Sequence, residues 1–365
     1  MYPSQGLTTA LNKMREMSVD NGSIYHQYVP LVTESTTIGE FGAPILDSQN
    51  VNVLNDFVGL LKKVVYTAVY SKTFNNPLAE LEGERMPLGS FIEDTYVNPQ
   101  PGRAFSVSDF SGLLEKYSAQ VATQILSVNS DVQFPVTITR SKLRDAFTSW
   151  DNLEAFVSSM VNALYNGCYI LRYNQTKGLV LSAFKAGNIK YEVITNPTDE
   201  ATAKALVRKI RADYAKMQFP STSFNAWQDA KGEDAFALKT WSNPEDLILL
   251  IDAETEALIS TEVLAAAFNL NMTDYLARRI LVDDWSQFND DGTKAVDGSM
   301  IKAVLCDKAF FKIKTQDFSM DEFWNPNNRT WQYYLNDVRM VNYSLFANAK
   351  VYTTAEPTPS GSDSE

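Results

Sequence analysis

The sequence predicts an α+β fold, with helices and strands mixed along the chain and no regular βαβ alternation. Three stretches carry that reading. DNLEAFVSSMVNALYN (151–166) places Leu153, Phe156, Val157, Met160, Val161 and Leu164 on one continuous helical stripe. DLILLID (246–252) and VQFPVTITR (132–140) are runs of strand-forming residues. RTWQYYLNDVRMVNYSLFANAKVYT (329–353) alternates over its last third. Tyr343, Leu345, Ala347, Ala349 and Val351 fall on one face, and Ser344, Phe346, Asn348, Lys350 and Tyr352 on the other. The second face carries Phe346 and Tyr352, so this closing strand requires cover on both sides.

Composition narrows the function. The chain has 365 residues, 45% of them hydrophobic, which suits two or three domains or one large discontinuous one. Its net charge of −12 argues against a general nucleic-acid binder, because phosphate binding needs a positive field. A single histidine, His26, excludes zinc sites built on several His and makes a Ser-His-Asp triad improbable. Cys168 and Cys306 form no CxxC pair and read as buried thiols. Neither GxxxxGK[ST] nor GxGxxG occurs. The 44 acidic residues show no local spacing that singles out a catalytic pair. Asn289-Asp290-Asp291-Gly292 lacks calcium-loop spacing and reads as a polar turn. MYPSQGLTTALNK has no basic start leading into an apolar core, and no run of 18 apolar residues occurs, so neither a secretory signal nor a membrane span is expected.

Taken in order, residues 1–50 are polar with scattered β-branched residues and read as an extended arm with little core. Leu54, Phe57, Val58, Leu61, Val64, Val65 and Ala68 then mark an amphipathic helix that stops before Asn76-Pro77. GERMPLGSFIEDTYVNPQPGRAFSVSDF (83–110) is rich in Pro and Gly with short β-like runs. Leu114, Tyr117, Val121 and Ile125 suggest a helix, and the strand 132–140 follows. So large an excursion in a compact protein usually has a task. The helix 151–166 opens on a capping box, Asp151 with Glu154, and Gly167 fits its end. Tyr169–Tyr173 and Leu179–Phe184 read as two short strands. Residues 198–217 form a helix capped by Thr198, with Leu206, Val207, Ile210, Tyr214 and Met217 inward. Its other face carries Lys204, Arg208, Lys209, Arg211 and Lys216, a basic patch in an acidic chain. Strand 246–252, helix TEVLAAAFN (261–269) and strand RRILVDD (278–284) follow. MIKAVLCDKAFFKIK (300–314) is a strand pair or one bent strand, FWNPNN a loop, and TAEPTPSGSDSE a flexible acidic tail.

This order, and the run DLILLIDAETEALISTEVLAAAFN…RRILVDDW…IKAVLCDKAFFKI followed by FWNPNNRTWQYYL, resembles the major capsid proteins of tailed bacteriophages, most of all those of small short-tailed phages. The resemblance implies the Hong Kong 97-like (Johnson) α+β fold. Its parts would be an N-terminal arm (1–50), a helix leading into the peripheral domain (51–82) and an extended loop (83–140). A peripheral domain with its spine helix (141–183), an axial domain (184–290), a return to the peripheral domain (291–353) and an acidic tail (354–365) would complete it. It implies a non-enzymatic, homo-oligomeric shell protein, made in the bacterial cytoplasm and carried in the virion. Hexamers and pentamers would form an icosahedral or prolate shell around double-stranded DNA, with weak DNA contact, no cofactor, no metal and no membrane. Scaffolding, portal and decoration proteins are candidate partners. The resemblance makes Arg103, Phe105, Lys204, Arg208, Arg211, Asp283 and Asp284 candidate contacts between subunits. It also gives the closing strand its cover, since a thin shell subunit turns many apolar positions towards neighbours. The self-made Lys–Asn cross-link of some members is not expected, because 84–110 contains no Lys. An encapsulin-like compartment and a carboxylate-dependent hydrolase are the alternatives; the long excursion disfavours the first and the single histidine the second.

Overall fold

The computed structural model describes residues 3–20, 22–46, 53–57, 60, 74–89, 91–102, 118–227, 236–259, 278–289 and 293–357. The helix expected at 261–269, and most of the one expected over 54–68, lie outside them. The chain forms two compact units. One comprises Met1–Asn76, Asp131–Arg172 and Asp317–Val338; the other comprises Pro77–Ser130, Tyr173–Gln316 and Arg339–Glu365.

The first unit opens with helices where an extended arm was expected. Helix α1 (Gln5–Asp20) buries Leu7, Leu11 and Met14, a three-and-four spacing that two threonines obscure in the sequence. Asn12 exchanges hydrogen bonds with Val32 in both directions, at 2.8 and 2.9 Å, and so folds the next segment back on α1. One helical turn, α2 (Tyr25–Tyr28), and α3 (Ile38–Leu46) follow. A capping box starts α3: Thr37 Oγ1 accepts from the Glu40 amide, and Glu40 accepts from the Thr37 amide. With α4 (53–57), these helices bury Tyr25, Phe41, Ile45 and Phe57 against Phe147, Trp150 and Leu153.

The residues after α4 supply α5 (Arg140–Ala146), α6 (Trp150–Val161), a π-helical stretch (Asn162–Asn166) and α7 (Gly167–Lys185). The stripe predicted over 151–166 is therefore a helix, but Gly167 does not end it. The runs Tyr169–Tyr173 and Leu179–Phe184, expected as strands, belong to α7. The second misled because α7 is buried all round from Thr176 to Leu181, so no periodicity survives, and the first is too short to show a period. A three-stranded sheet takes the order β10 (Phe311–Asn325), β11 (Thr330–Tyr343), β3 (Ser130–Thr139). β10 thus runs through the first half of the expected FWNPNN loop, and the turn is confined to 326–329. In this unit the Arg172 guanidinium grips the Asp337 carboxylate (2.6 and 3.0 Å), and the buried Cys168 thiol sits 3.4 Å from the same carboxylate. Burial, then the Asp337 charge, pushes that thiol up to about 12.

The second unit is built on a five-stranded sheet in the order β4 (Lys190–Val193), β12 (Ala349–Thr353), β9 (Ile301–Asp307), β5 (Leu247–Asp252), β6 (Arg278–Val282). The two outer pairs are parallel and the two inner pairs antiparallel. Ile248, Leu250, Val304, Cys306 and Val351 pack with Leu179, Val180, Ala183 and Phe184 of α7. Leu247, Leu249, Ile251, Leu305 and Tyr352 pack with Ala203, Leu206, Val207 and Ile210 of α8 (Glu200–Met217). A short helix, α9 (Ala253–Leu258), is capped by Asp252, whose carboxylate accepts from the Thr255 amide and hydroxyl. Between β6 and β9, β7 (Gln287–Phe288) and β8 (Lys294–Val296) form a small antiparallel ladder of their own.

This sheet corrects the reading of the closing strand. β11 ends at Tyr343, an irregular stretch follows, and only 349–353 is β12. Both faces of β12 are dry, but its own chain covers them: Val351 faces α7 and Tyr352 faces α8. No neighbour is needed there. The cap of α8 also moves by one residue, because Asp199, not Thr198, accepts from the Thr202 amide at 2.8 Å.

Candidate assembly surfaces

Within the excursion, β1 (Ile92–Val97) and β2 (Val121–Leu126) form an antiparallel ladder from Ile92↔Leu126 to Val97↔Val121. The helix expected through Val121 and Ile125 is therefore a strand; the four-residue spacing was ambiguous, and pairing with β1 decided it. Strand alternation sorts the side chains. Inward, the Tyr96 ring packs at a tilt against Phe346, and Gln124 accepts from the Leu345 amide at 3.1 Å and donates to the Tyr343 carbonyl at 3.1 Å. Asp94 accepts from Lys312 (3.1 Å) and Ser344 (2.5 Å), and the Tyr96 hydroxyl donates to the Lys239 carbonyl. The hairpin is thus pinned to its own unit.

Its outer face is wet, with the exposed Val97, Val121 and Ile125 set among Glu93, Thr95 and Thr123. Val97 is 56% exposed, Val121 49% and Ile125 70%, with Phe91 (64%) and Leu88 (75%) just before β1. Val97 and Val121 lie directly opposite each other. Single exposed apolar residues need no explanation, but five on one short ladder and its approach form a patch of the kind that marks interaction sites. The sequence carried the signal as apolar residues on both parities of 92–97 and 121–126. In the other unit, Phe323 is 57% exposed and Trp324 38%, beside Arg329, which turns between β10 and β11 at φ 52°.

The basic face of α8 divides in two. Lys204 pairs with Glu200 one turn away, and Lys209 reaches Glu192 on β4 at 2.7 Å. Arg208 is exposed and Arg211 half-buried. Across β12, the Lys350 ammonium bridges Glu192 (2.6 Å) and Asp213 (2.7 Å), and the Tyr352 hydroxyl donates to Asp213 at 2.9 Å. Burial works against the charged form of Glu192, but hydrogen bonds from Lys209 and Lys350 hold its carboxyl below the ordinary range. Burial likewise opposes the Lys350 charge, and its bonds to Asp213 and Glu192 outweigh that and hold the ammonium above its ordinary value.

Asp283 is exposed yet engaged within its own unit, by the buried Lys177 at 3.1 Å and by the Tyr173 hydroxyl. Asp284 accepts from the amide and hydroxyl of Ser286. Neither carboxylate lies within an ion-pair distance of Lys204, Arg208 or Arg211 among the described contacts. Arg103 and Phe105 lie outside the described residues. Among the described residues, no group of three or more His, Cys, Asp or Glu could hold a metal, and no helix is long and apolar enough to cross a membrane.

Comparison with known proteins agrees with the order of elements. Residues 11–353 match the family model of the Phi29-like phage major capsid protein. The chain is 30% identical to the major capsid protein of Bacillus phage PZA, over 97% of its own length and 75% of that protein. It is 24% identical to that of Streptococcus phage Cp-1, over 91% of both. Among solved structures, a chain in the head fibre and inner core structure of native bacteriophage P68 superposes with a TM-score of 0.61 at 14% identity, covering 79% of this chain and 87% of that one. The capsid structure of Staphylococcus phage Andhra gives 0.58 at 14% identity, with the same coverage. These likenesses show the Hong Kong 97-like capsid fold. With a family model spanning nearly all of it, the chain belongs to the Phi29-like phage major capsid protein family.

Proposed function

We propose that this major capsid protein closes its shell through the outer face of the β1–β2 hairpin, which packs on a neighbouring copy. The observation that carries this is that Val97, Val121 and Ile125 are left in solvent on a ladder whose other face is fixed to its own unit. A shell interface on the order of 2,000 Å² per subunit pair has room for such a patch. In this reading 83–140 serves as the extended loop, 1–50 as the N-terminal arm, though a helical one, and 184–290 as the axial domain. Copies gather as hexamers and pentamers around double-stranded DNA, in an icosahedral or prolate shell built in the host cytoplasm, with scaffolding, portal and decoration proteins as further partners. The protein works by assembly and not by catalysis. Arg208 and Arg211 lie between subunits and do not point at the genome, because each cation held at a phosphate adds a salt-sensitive brake on DNA movement.

The test substitutes Val121→Asp and Ile125→Asp together. The subunit should stay folded by circular dichroism, and negative-stain electron microscopy should show no shells. Shells at the wild-type yield would overturn the reading, as would shells after deletion of 95–128.

A further inference from the structure

The second unit holds a cleft of about 380 Å³ at the end of α8, which none of the contacts above fills. Asp213 and Lys216 line it from the helix, Phe219, Ser223 and Phe224 from the returning segment, and Lys350 from β12. Its walls are fixed by backbone. Ser221 exchanges amide–carbonyl hydrogen bonds with Thr240 in both directions at 3.0 Å, and the Ala349 amide donates to the Phe224 carbonyl at 2.9 Å. The cleft therefore exists before any ligand arrives.

Its charge follows from the ion pairs. Lys350 is shared by Glu192 and Asp213, and Lys209 holds the other side of Glu192. Two carboxylates and two ammonium groups cancel. Lys216 is left, exposed, with no carboxylate within ion-pairing distance among the described residues. Beside it Phe219 stands 68% exposed, an apolar wall with no cover. The exposed face of α8 leading to the cleft is Arg208, Ala212 and Ala215, so a partner can approach close to the helix backbone.

We propose that this cleft receives a carboxylate side chain from a second copy of the chain, paired with the Lys216 ammonium and with its methylene stem against Phe219 and Phe224. The hydroxyl of Ser223 lies in the same wall and can donate to the second carboxylate oxygen. The inference rests on the shell reading, in which every cleft meets other copies at high effective concentration. A chain with 44 acidic and 32 basic residues offers carboxylates on its surface. A nucleic-acid backbone fits less well. It brings a row of charges to a cleft with one net cation.

The experiment is zero-length carbodiimide coupling on shells co-assembled from isotopically heavy and light copies, read by mass spectrometry after digestion. Mixed-isotope peptides joining Lys216 to an Asp or Glu are expected in assembled shells, empty or DNA-filled, and not in dissociated subunits. Lys216→Glu should keep the subunit's circular dichroism and raise the concentration needed for assembly at least tenfold, while Lys216→Arg assembles as wild type. Absence of mixed-isotope coupling at Lys216 in intact shells would overturn the proposal. So would wild-type assembly of Lys216→Glu, or protection of Lys216 from acylation only in DNA-filled shells. Failure of the wild-type protein to form any shell would instead count against the shell reading itself.

Discussion

Replacing Lys350 by Met should destabilise the second unit by about 2–4 kcal/mol, somewhat less than the roughly 3–5 kcal/mol for breaking a fully buried ion pair. Lys350 joins three elements: its own strand β12, edge strand β4 through Glu192, and α8 through Asp213. Its side chain is 15% exposed and that of Asp213 9%. Met fills nearly the same volume, so packing on Tyr352 survives and the loss is electrostatic. Glu192 keeps Lys209 and reaches water, so it contributes little to the cost. Asp213 keeps only the Tyr352 hydroxyl among these donors, so a nearly buried carboxylate loses its counter-ion. The figure sits below the fully buried limit because Glu192 is 31% exposed and solvent screens that half of the bridge. Denaturant unfolding of the dissociated subunit measures it, with the tertiary signal of the second unit as probe. The double variant Lys350→Met/Asp213→Leu should recover most of the loss, because it removes both buried charges together. A single-variant cost below about 1 kcal/mol, or no recovery in the double variant, would refute the reasoning.

Gly298→Ala should cost about 2 kcal/mol or more, because a Cβ there meets the Trp285 carbonyl oxygen at 2.5 Å and backbone cannot yield. Gly178→Ala should cost less, since the obstructing atoms belong to the flexible end of Gln287; a larger loss for Gly178 in thermal unfolding would contradict this. Asp252→Ala should lower stability by about 1–2 kcal/mol through loss of the α9 cap, and Asp252→Asn should restore most of it in the same assay. Arg329→Gly should stabilise the β10–β11 turn by about 0.5–1 kcal/mol, because Arg329 holds a left-handed φ; a lower midpoint would count against it. The Lys350 bridge also sets a pH window. Its Glu192 share is full above the ordinary 4.5 and fades as pH falls through the depressed folded value. Its Lys350 share is full below the ordinary 10.5 and fades as pH rises through the raised one. Wild type minus Lys350→Met should therefore be flat between these limits.

Much of the fold can be read where one face of an element is wet. The stripe of α8 and the alternation of β3 carry their own period, so residue spacing identifies them, while the short apolar runs of β5 and β9, dry on both faces, are told by length and β-branched content. The order of elements, with the run from 246 to 314, is enough to point to a phage shell protein. The patterns fail where burial erases contrast or where pairing decides. The Leu179–Phe184 run of α7 reads as a strand because the helix is packed all round from Thr176 to Leu181. β2 reads as a helix because Val121 and Ile125 satisfy both periods, and only β1 lying alongside selects the strand. α1 hides its Leu7–Leu11–Met14 stripe among polar neighbours and needs Tyr25, Phe41 and the rest of its core to make burial worthwhile.

The candidate surfaces divide in the same way. The sequence by itself determined that α8 carries a basic face and that the excursion must do something, because both follow from residue type along one segment. Only the tertiary structure decided which cations are already spent. Lys204 and Lys209 are neutralised by Glu200 and Glu192, and Asp283 by Lys177. Of these only the Glu200–Lys204 pair is close in sequence, since a charge distribution in space is not fixed by spacing along the chain. The same holds for β12. Its two apolar faces were plain in the alternation of 349–353, but whether a neighbouring copy or its own chain would cover them depended on long-range packing. α7 and α8 close on the sheet from opposite sides, and no local pattern encodes that.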